Sequence, residues 1–233
     1  MAYNDTFDNY ISILEQVPYL GENFQAPIKI IKDEAAIQVW QVEQRTKLTR
    51  SAKDPKWADI GIICNDPYVV ILRDLVEFPG GFRGGYIRLY NRAYLEGGAA
   101  GVVTLPVKDN QVLLMHNFRH ATRGWHWEIP RGFGEPGVAA ETQASVEVQE
   151  EIGVEVDELV NLGLYFNNTG LEGNPIWLFL ARVNQDPVVN EEIGVDKLRW
   201  VAVEELESMI ANAEITDGFT IAAYTRAKLR RLI

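Results

Sequence analysis

One cysteine in 233 residues, Cys64, leaves no partner for an intrachain disulfide. That absence points to a reducing compartment, and a cytoplasmic setting is expected. Cys64 lies in the apolar run IGIIC, which reads as a small buried residue rather than a nucleophile. Basic residues are scarce too: 22 Lys and Arg stand against 33 Asp and Glu, for a formal net charge of −11. Such a chain repels phosphate backbones unless it gathers a local basic patch. No Lys/Arg run offers one, so nucleic acid is not an expected partner. No apolar run approaches the roughly 20 residues that span a bilayer. The opening MAYNDTFDNYISIL lacks the basic start and apolar core of a signal peptide, so no membrane is expected either. There are only three histidines. His116 and His120 are four apart but fall on a strand and its exit, where that spacing does not bring side chains together. A zinc site is thereby disfavoured. No serine-centred nucleophile motif and no internal repeat is visible.

What is present is an ordinary globular composition, 47% apolar and 24% charged, long enough to bury a core without staples. Residues Asp5 to Gln16 place Phe7, Tyr10, Ile11 and Leu14 at helical spacing, with Asn4 or Asp5 as cap. Strand-like runs follow: PIKII, AIQVWQV, IGIIC, YVVILRDLV and GYIRLYN, separated by turn signals such as NDP and PGGFRGG. The glycine-rich GGFRGG lacks the dinucleotide-binding spacing and lies between strands, so it reads as a hairpin loop. A boundary falls near LEGGAAG. Beyond it, AGVVTLPV and QVLLMHNF form a hairpin about KDN. Strands LVNLGLYF, IWLFLARV and KLRWVAV come later, then a helix in EELESMIANA and a last helix after Thr216-Asp217. Helices and strands mix without strict alternation, so the fold class is α+β. Two domains are expected, residues 1–97 as an antiparallel β unit with an N-terminal helix, and residues 98–233.

The stretch GFGEPGVAAETQASVEVQEEIGV, from Gly132 to Val154, carries the chemistry. Read as a helix from Val138 to Ile152, it has Ala140, Ala144, Val148 and Ile152 in one narrow apolar stripe. Glu147, Glu150 and Glu151 fall at i, i+3 and i+4. Like charges at that spacing cost roughly 0.2–0.5 kcal/mol per pair in an isolated helix. A hard divalent cation such as Mg²⁺ would turn that repulsion to use. A solvated acidic face is the plainer reading of the spacing by itself. Gly153 is the expected C-cap.

This stretch resembles the Nudix box, G-x5-E-x7-R-E-U-x-E-E-x-G-U with U a bulky aliphatic residue. Gly132, Glu147, Val148, Glu150, Glu151, Gly153 and Val154 match it. The box's first glutamate falls on Val138 and its arginine on Val146. The surroundings resemble the ADP-ribose pyrophosphatase branch: NFRH is similar to its QYR, WEIPRG to its LELPAG, and AEITDGFTIAA to its GEI-D--T ending. The resemblance covers roughly residues 98–230 and implies a Nudix fold, a mixed sheet between helices. It implies Mg²⁺, or Mn²⁺ in its place, on Glu147, Glu150, Glu151 and the Arg131 carbonyl. It implies Arg119, Glu128 and Gly132 as substrate-binding, and Glu150 or Glu172 as base. The implied reaction is hydrolysis of a nucleoside diphosphate linked to another group, ADP-ribose leading. The preceding unit resembles, more weakly, that branch's dimerisation domain, and implies a homodimer. Two departures bear on this. Val138 and Val146 replace a pair that braces the loop in the family; losing both partners together is tolerable, and the two valines are expected to touch or share an apolar neighbour. Asn174 falls where the branch often has a glutamate, and asparagine cannot act as a base. These departures favour the alternative, a catalytically silent module that binds a nucleotide-sugar; the intact carboxylate trio opposes it.

Overall fold

The computed structural model describes residues 7–17, 19–190, 192 and 194–233. The chain divides into two compact units, the first made of residues 1–96 with 168–174, the second of residues 97–167 with 175–233.

In the first unit, helix α1 (Phe7–Gln16) buries Tyr10, Ile13 and Leu14. Its expected caps, Asn4 and Asp5, lie outside the described residues. A four-stranded antiparallel sheet is built on β3 (Val69–Glu77), which pairs with β4 (Arg83–Asn91) along its whole length. Its other edge holds β2 (Gly61–Asn65) and the short β1 (Lys29–Ile30). Val70 and Leu72 of β3 meet Tyr10, Leu14 and Tyr90 in the core. The polar centre of that core is Asp74, 1% exposed, which accepts from Tyr10 Oη at 2.8 Å and pairs with Arg88. Burial, and then the neighbouring Asp74 charge, push the Tyr10 hydroxyl far above the ordinary tyrosine range.

Two expectations are corrected in this unit. The run AIQVWQV is not a strand but part of α2 (Glu34–Arg50). Asp33 caps that helix, its Oδ1 accepting from Ala36 N–H at 2.7 Å, and no Gly or Pro interrupts the 17 residues that follow. Cys64 is half-buried at the edge of a bulge in β2, not a core residue.

The second unit contains a seven-stranded mixed sheet. Strands β5 (Gly101–Lys108) and β6 (Gln111–Arg119) meet at Asp109-Asn110, both with positive φ (49° and 63°), the backbone of a tight two-residue hairpin. They pair only beside that turn, Val107 with Val112 and Lys108 with Gln111. Further along they splay, and the returning chain fills the gap with β7 (Gly124–Glu128) on β6 and β8 (Arg131–Phe133) on β5. The sheet is extended by β10 (Ile176–Arg182), parallel to β5, by β9 (Glu158–Tyr165) beyond it, and by β11 (Val195–Ala202) on the far side of β6. The elements remaining in chain order are α3 (Arg92–Leu95) in the first unit, then α4 (Ala140–Ile152), α5 (Val203–Ala211) and α6 (Gly218–Leu229) in the second. One sheet face packs on α4 through Ala140, Ala144, Val148 and Ile152, all under 9% exposed; the other packs on α5 and α6 through Leu206, Met209, Ala223 and Ala227. The small alanines let both layers approach the sheet closely. Among the described residues no helix is long and apolar enough to cross a membrane.

Candidate active site

The splay of β5 from β6 sets the site. It brings the end of β7, the whole of β8 and the side of α4 that carries Glu147 and Glu151 to one place. Gly132 of β8 lies directly beneath Glu147: a Cβ at residue 132 would sit 2.0 Å from the Glu147 carboxyl carbon. One turn on, Glu151 Oε2 accepts from the Arg131 backbone N–H at 2.9 Å. Burial is the first cause of a raised pKa at both carboxylates, and it outweighs the opposing hydrogen bonds, from Gln143 to Glu147 and from Arg131 to Glu151. Like charges add to it, Glu150 and Glu135 at Glu147, and Glu147 and Glu128 at Glu151. Glu151 is pushed up to about 7.

Glu150 does not join them. It is exposed on the flank of α4, in a shallow depression with Val146, Gln149, Glu155 and Val156. At 3.6 residues per turn its side chain leaves the helix roughly 100° from that of Glu151. Among the described residues no three His, Cys, Asp or Glu side chains gather closely enough to hold an ion by themselves. Glu147 and Glu151 are thus the more buried pair, with Glu150 near enough for its charge to raise the Glu147 pKa. The Arg131 backbone N–H anchors Glu151. A pair still fits Mg²⁺, which commonly takes one or two carboxylates and keeps several waters. Two partly desolvated acids with raised pKa values hold repulsion that a cation would relieve.

Behind the pair runs a charged network. Glu128 is 0% exposed and its carboxylate accepts from Asn117 Nδ2 (2.9 Å), from Arg119 through two nitrogens, and from Arg131 Nη2 (3.0 Å). Arg131 Nη1 reaches Asp217 Oδ1 at 2.8 Å, and its guanidinium lies 4.9 Å over the Phe219 ring. Asp217 in turn caps α6 through Thr220 N–H at 2.9 Å. Glu128 thus has its acceptors filled and holds two arginines in place. Arg119 keeps Nη1 outside this network. A cavity of about 350 Å³ opens between Arg119, Arg131, Gly132 and an apolar wall that includes Val102, Phe133, Ile176 and Phe219.

The departures from the family pattern have local explanations. Val138 is half-buried and Val146 is 40% exposed, and among the described residues neither belongs to a core cluster, so core burial of these two does not hold the loop before α4. Backbone packing does: a Cβ on Gly134 would lie 1.9 Å from the Ala99 carbonyl oxygen, and one on Gly98 would lie 2.1 Å from that of Glu135. Gly98 and Gly134 thus form a close backbone seam within the second unit. Asn174 is 3% exposed and its Oδ1 accepts from Asn91 N–H at 2.8 Å, so it is a structural acceptor in the first unit. A glutamate there would bury a charge. Glu172 lies in the same segment, bridged to Leu89 of β4. The histidines have separate partners: His116 meets Asp196, His120 meets Arg123, and His126 meets Thr122. Asp217 and Asn117 are site residues that sequence reasoning passed over. The S/T/D-before-helix signal at Asp217 was legible as a cap, but its bond to Arg131 was not.

A family model of the NUDIX domain matches residues 96–221. The chain belongs to the Nudix family of pyrophosphohydrolases. It is 23% identical over 149 residues to CMP-5'-(N-acetyl-N-hydroxy-3-aminopropyl)phosphonate hydrolase of Streptomyces rubellomurinus, across 63% of this chain and 69% of that protein. Among solved structures it is similar to an ADP compounds hydrolase, with a TM-score of 0.60 and 15% identity over 73% of this chain and 90% of that one. That likeness matches the α+β sandwich described above.

Proposed function

We propose that this Nudix protein hydrolyses a nucleoside diphosphate linked to a second group, with ADP-ribose the favoured substrate, and that it needs Mg²⁺. The observation that supports this reading is the placing of Glu147 over Gly132 and of Glu151 on the Arg131 backbone N–H, beside a cavity walled by Arg119 and Arg131. Glu147 and Glu151 would hold the ion, which when bound supplies charge neutralisation at the phosphoryl oxygens and a more acidic water. Arg119 binds diphosphate oxygens through Nη1 while Glu128 fixes its plane, so little side-chain entropy is lost on binding. Arg131 closes the same wall. Glu150 is the proposed base, exposed to water and electrostatically coupled to Glu147. Glu172 is the competing base.

Incubation of the purified protein with Mg²⁺ and a panel of ADP-ribose, sugar nucleotides and dinucleotides, with products separated by chromatography, tests the reading. Two phosphomonoesters from at least one substrate, lost on chelation, are expected. Glu150→Gln should then lower kcat by at least about 10²-fold, in the range of general-base removal, while Glu172→Gln does not. A silent module would give no product from any of them.

A further inference from the structure

The Arg119–Arg131 pair has a second side. A separate cavity of about 240 Å³ shares those two arginines and none of the apolar wall. Its other lining comes from Thr122 and His126 on the β6–β7 segment and from Thr216 and Asp217 ahead of α6. The two cavities differ in chemistry. The first offers Phe133, 62% exposed, and Phe219, flat apolar surfaces suited to a nucleobase. The second offers hydroxyls and an imidazole. His126 is half-buried and held at both ring nitrogens, Nε2 to Thr122 Oγ1 at 2.7 Å and Nδ1 to Thr216 Oγ1 at 3.4 Å.

We propose that this second cavity is the subsite for the non-nucleotide half of the substrate, that the group it takes is neutral and hydroxyl-rich, such as a pentose, and that His126 determines its specificity. The inference rests on the diphosphate reading above. Charge decides the class. The two arginines facing this cavity are already balanced by Glu128 and Asp217, to which they are hydrogen-bonded. A further anion would find no uncompensated cation here, whereas Arg119 Nη1 remains for the diphosphate at the shared wall. His126 spends both ring nitrogens on orienting the Thr122 and Thr216 hydroxyls, and each hydroxyl oxygen keeps a lone pair that can accept from a sugar hydroxyl. A diphosphate at the shared wall therefore has a base-accepting cavity on one side and a sugar-accepting cavity on the other.

The test is calorimetric binding, with Mg²⁺, of the α,β-methylene analogues of ADP-ribose and of ADP. His126→Ala, and separately Thr216→Val, should weaken the ADP-ribose analogue about tenfold and change the ADP analogue less than twofold. Both variants should melt within a few degrees of the wild type, since neither side chain lies in the core. Equal effects on the two ligands, or none on either, would overturn the subsite while leaving the diphosphate reading intact. A wild type that binds neither analogue would overturn the diphosphate reading and the subsite together.

Discussion

Glu151 sits where proton, backbone and metal compete. Its pKa of about 7 lies above the ordinary carboxylate value of 4.5, so the folded chain holds this proton more tightly than the unfolded one. The resulting stabilisation is fully present below about pH 4.5 and is lost as pH rises towards 7, by at most about 1.4 kcal/mol for each pH step of one between those values. Metal-free protein should therefore lose stability across that window, and Glu151→Gln should flatten the loss, as thermal melts from pH 4.5 to 7.5 would reveal. Because Mg²⁺ displaces that proton, its stabilising effect on Tm should grow over the same range. Gly132 permits a second test. Its absent Cβ is the room that the Glu147 carboxylate occupies, and that carboxylate is the mobile end of a side chain. Gly132→Ala should push it aside and weaken Mg²⁺ binding about tenfold or more, a loss typical when a ligand's support is altered, while Tm changes little. Unchanged Mg²⁺ affinity by calorimetry would separate Glu147 from the metal.

Elements depend on closer approaches than a string of letters displays. Gly134 and Gly98 let the loop before α4 lie against residues 98–100, with carbonyl oxygens where side chains would be. Unlike Gly132, Gly134 faces backbone, which cannot swing away. Gly134→Ala should cost about 1–3 kcal/mol in denaturant melts, the usual cost of overpacking. The stripe of Ala140, Ala144, Val148 and Ile152, the αL cap at Gly153 and the Asp109-Asn110 hairpin were all legible in the sequence, because each is a local rule of spacing or φ. The short β7 and β8 were not, since strands of five and three residues carry too little periodicity. Helix α2 reads as a strand in the run AIQVWQV because its β-branched residues alternate over a few positions; the capping Asp33 and the uninterrupted length decide otherwise. In the site, the glutamates were legible by spacing. Glu150's separation from the pair depends on how α4 rolls on the sheet, and the roles of Glu128 and Asp217 depend on arginines brought from other strands.

At the scale of the molecule, α2 is the anomaly. Of its 17 residues only Ile37 is buried, while Val39 and Val42 are 61% and 62% exposed. An isolated helix of this length is marginal in water and gains its stability from packing. Trp57, Tyr68 and Phe82 in the same unit are also largely exposed. A second copy of the chain is the expected cover. The predicted homodimer buries at least about 2,000 Å² in total, the obligate range. Light scattering at micromolar concentration should give twice the 26.3 kDa chain mass. Val39→Asp with Val42→Asp should shift it to monomer, and a monomeric wild type would leave α2 uncovered and the dimer disproved.

The central claim, water attack on a diphosphate phosphorus at the Glu147–Glu151 pair, is tested most directly by running the reaction in H₂¹⁸O. With Mg²⁺ and ADP-ribose, one ¹⁸O should enter a single phosphomonoester product, AMP or ribose 5-phosphate, and Glu151→Gln should slow its appearance at least about 10²-fold. Products formed without ¹⁸O in either phosphate, or at an undiminished rate in Glu151→Gln, would contradict it.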